Sequence, residues 1–173
     1  MGRALRLATA HRRADLPAAI VVVVHIPAGA RDTLAHVLLR GALLPASQAR
    51  NGEPLRDGHI FVAPPDQHLT LAINRGVVLT LDAKEHRHRP AIDPLFRSAA
   101  VVYGPSVLGL VLSGSGHDGA AGLNAIGRAG GLTVVQDPKE AAFPGMPLAA
   151  IESLKVDHVM DVAGIAALIV RWA

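Results

Sequence analysis

Four uninterrupted aliphatic runs constrain this chain more than any other feature. They are "AIVVVV" at 19–24, "HIFVA" at 59–63, "VLGLVL" at 107–112 and "LTVV" at 132–135. A strand with one wet face alternates apolar and polar residues, whereas a continuous aliphatic run needs cover on both faces. Strands of a parallel sheet enclosed by helices meet that requirement. The residues between the runs agree. Helical spacing or helix punctuation predicts helices over 2–13, 31–42, from Asp93-Pro94 to about 103, 118–131, 147–153 and 162–173. Residues 68–82 read as a β-hairpin turning near "NRG", and 156–161 as a final strand. The predicted fold class is therefore α/β, a single doubly wound and mostly parallel sheet with helices on both faces, plus the hairpin.

Composition narrows the function. Half of the 173 residues are hydrophobic but only 3% are aromatic, so Ala, Val, Leu and Ile must build the core of one domain spanning 1–173. The absence of cysteine rules out disulfides, thiol catalysis and cysteine-ligated metal. No apolar run approaches the roughly 18 residues that span a bilayer, so no membrane insertion is expected. The N-terminus lacks a signal-peptide core, which makes a cytoplasmic location the expectation. The formal charge of +3 is scattered, apart from "HRR" at 11–13 and "HRHR" at 86–89. Without a basic stripe carrying aromatics, nucleic acid is not an expected partner.

In doubly wound sheets, sites form at the C-terminal ends of strands. Two such ends carry chemistry here. The first run stops at His25. The third opens into Ser113-Gly114-Ser115-Gly116-His117-Asp118-Gly119, a loop flexible enough to turn tightly and offer amides to an anion. If the two ends meet, Asp118 can orient the His25 imidazole as a general base. Asp118 also stands where a helix N-cap belongs, and capping alone is the simpler reading. The loop is not a phosphate cradle, since it lacks both GxxxxGK[ST] and GxGxxG spacing. His86, His88 and His117 give only a weak metal signal, and no metal is expected.

The stretches "VVVVHIPAG", "GHIFVAPPDQHL", "HRHRPAIDPLFRSAA", "VLSGSGHDGAAGL", "GGLTVVQDP" and "FPGMP" followed by "VDHV" occur in an order that resembles the CheB-type protein-glutamate methylesterases of bacterial chemotaxis. The resemblance runs over nearly the whole chain. It implies a doubly wound α/β fold and a Ser–His–Asp triad, with His25 as base and Asp118 as its aspartate. The loop Gly114, Ser115 and Gly116 would supply an oxyanion donor. The implied reaction is hydrolysis of glutamyl methyl esters on chemoreceptor cytoplasmic helices, without a cofactor. "APPDQHL" and "HRHRPAID" are expected to wall the cleft, with Pro65, His68 and Arg89 as substrate-binding residues.

One departure matters. The family's nucleophile lies in a Gly-x-Ser-x-Gly-Gly turn after a first strand, and this sequence begins at the helix that follows. The expectation is an N-terminally incomplete domain with the first family strand and its serine missing, and no receiver domain. Thr9, Ser98, Ser113 and Ser115 are the hydroxyls to weigh as substitutes, Ser115 having the best geometry. The alternative readings are a catalytically inactive module that binds receptor or a signalling partner, and a general esterase outside chemotaxis.

Overall fold

The computed structural model describes residues 16–27, 29, 44–153 and 155–173. The helices predicted at 2–13 and 31–42, and Thr9 with them, lie outside those residues. All four aliphatic runs form strands: β1 (Ile20–Val22), β3 (Ile60–Val62), β6 (Leu108–Val111) and β7 (Leu132–Gln136). The predicted last strand is β8 (His158–Met160), and the hairpin is β4 (His68–Leu71) with β5 (Val77–Thr80). Leu69 faces Leu79 across it, and Arg75 turns the chain in a left-handed conformation. Strand β2 (Ala46–Gln48) was not foreseen. Its "ASQ" carries no aliphatic signal, and its pairing with β3, Ala46 beside Ile60, recruits it.

The fold is α/β with parallel strands and helices, as expected, and among the described residues the parallel strands pair in two groups of three, ordered β1-β3-β2 and β6-β7-β8. Among the described residues, β1 and β6 lie at the ends of their strand orders. An apolar cavity of about 1260 Å³ has both on its walls, through Ile20 and Val21 of one and Leu108 and Leu110 of the other. Each strand of a parallel pair presents alternate amides and carbonyls to either side. Among the described residues, no strand pairs with the second side of β1 or of β6. Hence β1 is only partly buried along its length, while β3, flanked on both sides, is fully buried.

The α-helices among the described residues are α1 (Ile92–Tyr103), α2 (Ala120–Arg128), α3 (Gly145–Ser153) and α4 (Val162–Trp172). Successive strand residues point to opposite faces, and β7 shows the consequence. Val135 packs with Leu123 of α2 and Ala150 of α3, whereas Val134 packs with Ile165 and Leu168 of α4. The sheet is thus covered on both sides. On the other half, Leu95 and Ala99 of α1 cover Leu69, Leu71 and Val77 of the hairpin.

The meeting of α1 and α2 positions the site. A Cβ on Gly122 would stand 2.5 Å from the Phe96 Cβ and 3.0 Å from Asp93 Oδ1, so only glycine lets the two helices come this close. Helix α1 starts at Ile92, earlier than the predicted Asp93-Pro94 start, and its N-cap Ala91 has no capping side chain. Another residue must therefore satisfy its first amides.

Candidate active site

That residue is Asp118. Its Oδ2 accepts the Ile92 amide at 2.7 Å and its Oδ1 accepts the Asp93 amide at 3.0 Å. Capping does occur, but on α1 and not on the helix Asp118 leads into, whose N-cap is Gly119 without a side-chain bond. The same carboxylate reaches across from the end of β6 to the end of β1, where Asp118 Oδ2 lies 2.6 Å from His25 Nε2. Asp118 is 1% exposed and His25 20%.

Burial pushes the Asp118 carboxyl up. Hydrogen bonds from His25, Ile92 and Asp93, with the nearby His25 charge, more than offset that and hold it below the ordinary aspartate range. An ionised carboxylate only accepts, so His25 Nε2 carries the shared proton and Nδ1 keeps a free lone pair. An imidazole with one nitrogen tied to a buried carboxylate and the other open has the arrangement that a general base requires.

His25 borders the cavity between the sheets together with His88, Ser113, Gly114, Ser115 and Met146. The loop after β6 is tightly held at its start. The Ser113 amide donates to Gln136 Oε1, the Ser113 hydroxyl accepts the Phe143 amide, and the Gly114 amide donates to the Phe143 carbonyl. A Cβ on Gly114 would stand 2.2 Å from Met146 Sδ, so the loop presses directly on α3. The Gly114 amide is therefore spent. Among the described residues, the Ser115 and Gly116 amides have no backbone or side-chain acceptor, and Gly116 turns at φ +84°. These two amides are available to an anion.

A family model described as CheB methylesterase matches residues 3–169. This chain belongs to the CheB methylesterase family. The crystal structure of the Thermotoga maritima CheB methylesterase catalytic domain superposes with a TM-score of 0.93 at 30% sequence identity, covering 99% of this chain and 92% of that one. Proteins named protein-glutamate methylesterase/protein-glutamine glutaminase are similar as well. The Photorhabdus laumondii protein is 39% identical over 83% of this chain and 42% of its own length. A Rhodospirillum rubrum protein is 40% identical over 89% and 41%. A Leptospira interrogans protein, named as putative, is 36% identical over 88% and 79%. The chain spans less than half the length of the first two relatives.

Within this CheB methylesterase fold, the residues expected to wall the cleft divide. Pro65 is partly exposed in the turn before β4. His68 is 2% exposed, with Nδ1 accepting the Ala91 amide and Nε2 donating to the Ala83 carbonyl. Arg89 places Nε and one terminal nitrogen on Asp66 and the other on the carbonyls of Leu81 and Asp82. His68 has both ring nitrogens engaged and is buried, while the Arg89 side chain keeps 18% of its surface exposed. Both brace the segments between β4 and α1.

Of the candidate hydroxyls, Ser98 bonds the Leu95 carbonyl and the Leu71 amide, so it is structural. Ser115 is exposed and unengaged. Sequence reasoning missed Asp93 and the role of His88, although both lie in the quoted "HRHRPAID". The Asp93 carboxylate accepts the Gly122 amide at 2.7 Å and pairs with His86 Nε2 at 2.8 Å. Glu85, His86 and Asp93 bring possible ligand atoms within 4.8 Å of one another. However, Asp93 is hydrogen-bonded to His86, and Glu85 is paired with Arg97, so each carboxylate already has a partner.

Proposed function

We propose that this chain carries the base and orienting carboxylate of a protein-glutamate methylesterase. Its substrate would be glutamyl methyl esters on chemoreceptor cytoplasmic helices, hydrolysed to glutamate and methanol. The observation that carries the reading is the 2.6 Å His25–Asp118 pair at two strand ends on one cavity. In the reaction, a serine hydroxyl attacks the ester carbonyl while His25 Nδ1 takes its proton, and Asp118 stabilises the imidazolium. The amides of Ser115 and Gly116 hold the oxyanion. His25 then protonates the departing methoxide, and a water activated by the same nitrogen releases the acyl group as glutamate.

The nucleophile is the part to be supplied. The first serine in the sequence is Ser47, which bonds His59 at 2.8 Å in β2. We propose that the nucleophilic serine comes from outside these 173 residues and is seated at the apolar cavity that β1 and β6 wall. Among the described residues, no hydroxyl is bonded to His25, whose one side-chain partner is Asp118. That observation also favours a second reading, an inactive module that binds receptor.

Methanol release from methylated receptor separates the two. A chain extended at its N-terminus by an aliphatic strand and a serine turn should turn over, and replacing that serine with alanine should abolish turnover. Receptor binding by the extended chain without His25-dependent methanol release would establish the module instead.

A further inference from the structure

Residues 85–88 form a two-residue hairpin turn. Glu85 and His88 exchange both backbone hydrogen bonds, at 3.2 and 2.8 Å. Between them His86 and Arg87 have φ +50° and +69°. Such a turn ordinarily takes Asn-Gly, because side chains resist left-handed backbone at both positions. Contacts outside the turn hold it nonetheless. His86 is latched to buried Asp93 and lies edge-on to His117, with ring centroids 4.4 Å apart, while Glu85 pairs with Arg97.

The turn delivers His88 to a specific place. Its ring lies flat on that of His25, with centroids 3.7 Å apart and planes 3° from parallel. His25 is tied to Asp118 through one nitrogen alone, so rotation about its Cβ–Cγ bond would swing the proton out of line with the carboxylate. A parallel ring at van der Waals distance opposes that rotation.

We propose that His88 is a positioning residue for His25, holding the imidazole in line with Asp118, and that His86 on Asp93 fixes the turn that places it. The proposal rests on His25 being the base. His88 is suited to the task because it stays neutral beside a group that becomes charged. Burial, then the charges of His25, His86 and Arg87, lower its pKa against the opposing pull of Asp118. The other charged or titratable groups around the turn are Glu85, Asp93, Arg97 and His117.

The test is the low-field NMR signal of the His25 Nε2 proton in this chain, assigned by its loss in His25→Ala. Aromatic stacking of this kind makes its solvent exchange about two- to tenfold faster in His88→Ala. His88→Phe, which keeps a flat ring, should restore the wild-type rate, and His86→Ala should shift it in the same direction as His88→Ala. If His88→Ala proves unstable in urea, His88→Gln, which keeps bulk without a flat ring, gives the same comparison. Unchanged exchange in the folded Ala or Gln variant, or failure of Phe to restore it, overturns the proposal. The signal needs no ester turnover, so a serine-bearing extended chain that is inactive on receptor leaves this result standing and counts against the methylesterase reading alone.

Discussion

Asp93 and Asp118 each cap the helix that the other belongs to or leads into. Asp118 accepts the amides of Ile92 and Asp93 that open α1, and Asp93 accepts the amide of Gly122 in the first turn of α2. Each also holds a histidine, His25 on Asp118 and His86 on Asp93. The base is thus fixed through the same carboxylate that fixes a helix, and stability and site geometry are linked at one residue.

Asp118→Ala should therefore destabilise the fold as well as free His25. Two buried amides lose their acceptor, which costs about 1–3 kcal/mol by urea unfolding. Asp161 caps α4 through the Gly164 amide from an exposed position, where water can replace it. Asp161→Ala should lose clearly less. Equal losses would show that the Asp118 cap is not the buried anchor described.

Acid should weaken the protein through two aspartates. Hydrogen bonds lower Asp118 against its burial, and the Thr133 amide and hydroxyl lower Asp157. Both folded values lie below the unfolded one, so the native state binds fewer protons in that range. Their contribution is complete above about pH 4 and is lost as pH falls through the lower folded values. Urea midpoints taken downward from about pH 5 should drop more steeply for wild type than for Asp118→Asn or Asp157→Asn. Parallel slopes would assign the acid sensitivity elsewhere.

Gly122→Ala tests the helix contact. The new methyl would press on Phe96 Cβ at 2.5 Å and on the Asp93 backbone at 3.2 Å, neither of which can swing aside. Overpacking of this kind costs about 1–3 kcal/mol, and the displaced Asp93 should release His86. A stability equal to wild type, with the His86 signals unmoved, would contradict the packing.

The layers of the fold were legible because aliphatic runs bury on both faces wherever they occur. Strand β2 was not, since Ala46-Ser47-Gln48 is recruited by β3 and by nothing in its own residues. His25 and Asp118 could be paired in advance from the rule that sites gather at strand ends. The partners of Arg89 and His68 could not, because an arginine beside a proline looks the same on paper whether it faces substrate or Asp66. The order of the strands was hidden for a related reason. Local sequence marks a strand, but the partner on each edge depends on what lies across the gap.

The chain as given should hydrolyse esters no faster than its His25→Ala variant. An imidazole poised by a carboxylate activates a hydroxyl only within hydrogen-bond reach, about 2.6–3.2 Å. Among the described residues, the Ser98 and Ser113 hydroxyls are committed to Leu95 with Leu71 and to Phe143. Ser115 lies on the cavity and is uncommitted, so it is the one loop serine there that could serve by a modest movement. The assay is methanol release from methylated receptor by the 173-residue chain, His25→Ala and Ser115→Ala. Background rates in all three are expected. Turnover that disappears in both variants would identify Ser115 as the nucleophile and remove the need for a serine from outside this chain.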